Sequence, residues 1–285
     1  TLILANWTSN DLYYENEFNT NYIKGYLSYR EKDTIKTIFW REMDTTSAEY
    51  KAKNFKQTGD TGIVAQQQPK NIEDLRVIVK TICYPKMNVK KTNAEIIDEE
   101  ERAPAGSEKI LMDYRAMVYN AVNTDTSFFK LYAGTSLKAV PFDAGKEVRV
   151  YVYSSVKKEG IVPFGGDYLL VYDKKTKMLI EKTSLHNDCI FISVQYKGKS
   201  YDASKSTMHT HNADAAELIT PTDIATLLLY KSQLEWDEHH VIAGKHTCIF
   251  TLVDRKLDIM LTEDFEYLKK KKTDNENEEK KGKMH

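Results

Sequence analysis

His209-Thr210-His211 places two imidazoles one residue apart, and Asp223 follows the second of them by twelve residues. On an extended segment, side chains repeat every two residues, so both rings can point the same way. Thr220-Pro221-Thr222-Asp223 reads as a helix start, with a hydroxyl at the cap and proline at the first helical position. An aspartate in that first turn can return as a third ligand. Two imidazoles and a carboxylate suit zinc, and three protein ligands leave a fourth position for water. Each residue also has a plainer role. An acidic group in a first turn is favoured by the helix dipole, Thr220 can serve as a cap alone, and a His-x-His can be a hydrogen-bonded pair.

The full spacing is His209-Thr210-His211-Asn212, seven residues from Ala213 to Ile219, then Thr220, two residues and Asp223. This resembles the signature of the JAMM metalloprotease family (also called MPN-plus or JAB). Asn212 stands where that family has proline, and Thr220 stands where it has serine but keeps the hydroxyl. The resemblance covers residues 147–253. It implies zinc held by His209, His211 and Asp223, with Thr220 as the oxyanion donor. It also implies an upstream glutamate as general base, for which there are two candidates. Glu159 lies 50 residues before His209, and Glu147 lies 62 before it and opens a strand. Glu159 sits in the charged turn Lys157-Lys158-Glu159-Gly160, where a solvated role is its ordinary fate. A domain lacking the base could keep the fold without hydrolysing anything.

The elements that must position these residues are read from periodicity. Residues 22–29 and 34–40 alternate as a hairpin around Glu31-Lys32-Asp33. Asn71 reads as the cap of a helix ending before Pro85, and residues 86–107 as a charged loop or boundary. Ser107 caps a second helix with an apolar stripe through Ile110, Leu111, Tyr114 and Val118. Strands follow at 147–153, 167–172, 178–180 and 189–194. After them come the His-x-His segment, a helix from Pro221, and strands at 239–253 (broken near Gly244) and 257–261. The order predicts an α/β (α+β) fold resembling the JAMM mixed sheet flanked by helices. It divides the chain into a β-rich and helical N-terminal extension (1–106), the JAMM-like domain (107–268) and a disordered, lysine- and glutamate-rich tail (269–285).

Among the other histidines, His239 and His240 are adjacent on a strand and so point to opposite faces; both cannot reach one metal. His186 is a candidate for a supporting role near the cleft. Cys83, Cys189 and Cys248 are odd in number and widely spaced, which argues against a disulfide framework.

Forty-one basic and 42 acidic residues give a net charge of -1, which offers no global electrostatic case for nucleic acid. No run of 18 apolar residues occurs, so no membrane-spanning helix is expected. The first residue is Thr1 rather than Met, which would fit a removed leader and an exported protein; the compartment stays open. Three functional expectations follow. The first is a zinc metallopeptidase acting on a peptide or isopeptide bond. The second is an inactive JAMM-like module that binds a peptide or protein partner. In the third, an exported binding protein of another α+β fold carries the spacing by coincidence. The sequence does not fix substrate or oligomeric state.

Overall fold

The computed structural model describes residues 1–16, 23–42, 55–58, 62–65, 76–156, 160–194, 205–211 and 216–282. The fold is mixed α+β and divides into two compact units. Thr1–Ala121 and Val140–Val150 form the first; Val122–Ala139 and Tyr151–His285 form the second. The helix at 107–121 therefore groups with the N-terminal strands, whereas the sequence reading began the second domain with it.

The first unit opens with α1 (Leu2–Glu15), which the sequence did not reveal. Its buried face includes Asn6 and Ser9 beside Ile3, Ala5 and Leu12, so hydropathy alone gives no helical stripe. Ser9 donates its hydroxyl to Thr37 Oγ1 at 2.8 Å and lies 2.9 Å from the Tyr84 hydroxyl. These partners make burial of the serine tolerable. The expected hairpin is present as β1 (Gly25–Glu31) and β2 (Thr34–Glu42), paired from Glu31↔Thr34 to Gly25↔Trp40. A second short hairpin joins β3 (Phe55–Thr58) to β4 (Gly62–Ala65).

The helix expected before Pro85 is a correction. Residues 71–75 lie outside the described residues, and the rest is β5 (Arg76–Tyr84), antiparallel to β2. Val77, Ile78, Val79, Thr81 and Ile82 are β-branched, and the strand is buried on both faces. A continuous apolar run of this kind fits strand and buried helix alike by period alone. The expected loop at 86–107 is also corrected in part. After two 3-10 turns it contains β6 (Glu95–Arg102), the outer strand of the order β1-β2-β5-β6. Its charges are those of an edge strand: Glu101 pairs with Arg41, and Arg102 with Glu108 at 2.7 Å. Glu108 opens α2 (Ser107–Thr124) and also accepts from the Tyr29 hydroxyl at 2.9 Å.

Strands β7 (Thr135–Asp143) and β8 (Glu147–Val156) carry the chain between the units. In the second unit, β9 (Ile161–Gly165) precedes β10 (Tyr168–Asp173) and β11 (Leu179–Ser184). β10 and β11 complete a sheet of order β11-β10-β8-β7. β12 (Cys189–Ser193) pairs antiparallel with β9. β13 (Ser206–His211) carries the two histidines and is parallel to β14 (Glu238–Ala243). β15 (His246–Thr251) and β16 (Lys256–Leu261) follow antiparallel. Between β13 and β14 lies α3 (Pro221–Leu229), which packs on β9. α4 (Thr262–Gly282) runs into the segment whose composition predicts disorder. No helix among the described residues is long and apolar enough to cross a membrane. All three cysteines are free thiols.

Candidate metal centre

His209 and His211 leave β13 on the same face, as the two-residue repeat requires, and both are buried. Thr220 caps α3 through a reciprocal box. Its Oγ1 accepts from the Asp223 N–H at 3.0 Å, while Asp223 Oδ2 accepts from the Thr220 N–H at 2.9 Å and its hydroxyl at 2.8 Å. The cap thereby spends one carboxylate oxygen of Asp223 and turns the other toward β13. That other oxygen, Oδ1, is buried with no hydrogen-bond partner among the described residues.

His186 completes the group from the bend after β11. Its Nε2 lies 2.8 Å from His211 Nε2 and 3.3 Å from Asp223 Oδ1. His209 Nε2 is 3.0 Å from His211 Nε2 and 3.8 Å from Asp223 Oδ1, and His211 Nε2 is 3.5 Å from Asp223 Oδ2. One ligand atom from each of the four residues falls within a 4.8 Å span. Bonds of about 2.0–2.1 Å in a tetrahedral zinc site imply ligand–ligand edges of roughly 3.3–3.4 Å. The separations here bracket that value, and the buried group can hold a metal ion.

Each ring is fixed through its second nitrogen. His186 Nδ1–H donates to Asp167 Oδ1 at 2.6 Å, and His211 Nδ1–H donates to the Ala216 carbonyl at 2.8 Å. His209 Nδ1 meets His239 Nε2 at 2.9 Å. For His186 and His211, whose Nδ1 partners are acceptors only, these outer bonds select the tautomer whose Nε2 lone pair faces the ion. Asp167 is itself held by the Thr222 hydroxyl. Without a cation, lone pairs of neighbouring imidazoles would face each other at under 3 Å, so charge must sit among them.

Electrostatics show how the metal-free group would find that charge. Burial disfavours an imidazolium at His186, but hydrogen bonds and charge from Asp167 and Asp223 outweigh it and push the ring up to about 10. Burial pulls His209 down to about 4. Burial would raise Asp223, but its close contacts with His186 and His211 hold it well below the usual carboxylate range. Asp167 and Asp223 are each 1% exposed, and no lysine or arginine among the described residues bonds either of them. One protonated imidazole leaves a surplus buried negative charge, whereas a divalent cation cancels both carboxylates. Buried charge is costly unless compensated, so the donor set fits such a cation.

The spacing therefore brings His209, His211, Thr220 and Asp223 together. Glu159 lies outside the described residues, as does Asn212. Glu147 lies on the part of β8 within the first unit, with its carboxylate 3.3 Å from Arg149 Nη2. The sequence assigned His186 only a supporting role and gave none to Asp167 or His239. All three arrive through bends or across the sheet, where no fixed spacing to β13 exists. The pairing Thr207↔His239 on parallel strands was the one signal for His239, and it needs the sheet order to be known. No protein-family model, curated protein or solved structure matches this chain. The JAMM resemblance thus rests on the residue spacing alone.

Proposed function

We propose that the second unit is a metal-binding module that holds one zinc-class divalent ion through His186, His209, His211 and Asp223. The observation that carries this reading is the gathering of three Nε2 atoms and a buried carboxylate within a 4.8 Å span, with one carboxylate oxygen left without a hydrogen-bond partner among the described residues. Zinc suits the borderline nitrogen and oxygen donors and their spacing. Four protein ligands fill a tetrahedral shell, which is the pattern of a structural ion rather than a catalytic one. In this reading the module binds a peptide or protein partner without cutting it, and the ion stabilises the fold that presents the binding surface.

A JAMM-type zinc peptidase is the second reading, favoured by the spacing from His209 through Thr220 to Asp223. It needs an open coordination position and a hydroxyl free to meet an oxyanion. His186 stands where the open position would be, and the Thr220 hydroxyl is engaged with Asp223.

Cobalt substitution separates the two. The visible spectrum of the Co2+-loaded chain is expected to be unchanged by azide, because no position is free. The Co2+-loaded His186→Ala variant is expected to respond to azide. A wild-type spectrum that shifts with azide, joined to peptide or isopeptide hydrolysis, would replace the structural reading with the hydrolase.

A further inference from the structure

His239 is fully buried and both of its nitrogens are engaged. Nδ1 lies 2.8 Å from Thr207 Oγ1, and Nε2 lies 2.9 Å from His209 Nδ1. The ring stacks on Phe164 at 4.8 Å with 6° between planes, and on Trp236 at 5.8 Å with 22°. Thr207 is its direct partner across the parallel β13–β14 ladder. Stacking and the two hydrogen bonds leave this ring no freedom to turn. Adjacent His240 points the other way, onto Phe265, and takes no part.

We infer that His239 is a positioning residue, which fixes His209 as an Nε2 ligand through the directional hydrogen-bond chain Thr207–His239–His209; this rests on the metal-centre reading above. The chain has two directions. In one, the Thr207 hydroxyl donates to His239 Nδ1 and His239 Nε2–H donates to His209 Nδ1. His209 must then carry its proton on Nε2, where it would meet the ion. In the other, His209 Nδ1–H donates to His239 Nε2 and His239 Nδ1–H donates to Thr207. Only this direction presents the His209 lone pair to a metal, so occupancy of the site selects it. Phe164 and Trp236 hold the relay in line, and Thr207, half-buried at the edge of the sheet, is its outer end.

Zn2+ affinity, measured by chelator competition on the full chain, tests the assignment beside 15N imidazole spectra. His239→Phe keeps the stacked ring but cannot accept from His209. It is expected to weaken Zn2+ binding about 10–100-fold. His239→Gln, whose amide oxygen can accept from His209, is expected to recover most of that loss. The zinc-loaded wild type is expected to show protons on Nδ1 of both His209 and His239. Undiminished affinity in a folded His239→Phe variant, or a His209 ligated through Nδ1, would overturn the inference while leaving the metal centre standing. A wild-type chain that takes up no Zn2+ would instead overturn the metal centre, and this role with it.

Discussion

Asp223 performs two tasks with one carboxylate. Oδ2 closes the cap of α3, and the geometry of that cap leaves Oδ1 facing the imidazoles of His186 and His209 at 3.3 and 3.8 Å. Asp167 does the complementary work behind His186, where it accepts the Nδ1–H hydrogen bond that favours the charged ring and is steadied by Thr222. The consequence for protons is specific. A ring raised to about 10 contributes stability to the metal-free fold below its ordinary value near 6.5, and that contribution is lost as pH rises through about 10. Zn2+ must displace the same proton, so binding weakens as pH falls. At pH 7 His209 and Asp223 have no proton to give. Calorimetric titration in buffers of different ionisation heat is therefore expected to show release of the His186 proton as Zn2+ binds. In Asp167→Asn, which removes the charge that holds that proton, the release is expected to shrink. Equal release in both proteins would contradict the assignment.

At the scale of elements, the ligands depend on turns as much as on strands. Gly165 ends β9 at φ +83°, and a Cβ there would lie 2.2 Å from the Asp188 carbonyl and 3.0 Å from His186 Cβ. Gly165→Ala is accordingly expected to destabilise the second unit by roughly 2–4 kcal/mol, from left-handed strain and backbone overlap together. It should also displace His186 and weaken metal binding, and urea unfolding with and without Zn2+ would check both. The same scale separates what the sequence disclosed from what it hid. The paired histidines were legible because a strand repeats every two residues, and the α3 start because capping is a local hydrogen-bond pattern. Strands β14 to β16 lie along the runs 239–253 and 257–261 read as strands, with the break at Gly244. Elsewhere local pattern misled. β5 is buried on both faces and loses its alternation, the buried face of α1 is partly polar, and charged β6 reads as a loop. His186, Asp167 and His239 join the centre by tertiary packing, and no local rule spaces them from His209.

For the whole molecule, the chain is two compact units with nearly balanced charge, and all four candidate ligands belong to the second. An ion bound only by the folded state adds stability by mass action, about 4 kcal/mol at a thousandfold excess over Kd. Chelation should thus lower the melting of the second unit by on the order of 10 °C. The most direct test is the metal content of the purified, untagged chain, measured by elemental analysis beside the His209→Ala/His211→Ala double variant. About one zinc per chain is expected, retained through dialysis and lost in the variant. A wild-type chain that stays folded yet carries no metal, even after Zn2+ is supplied, would contradict the metal-centre reading.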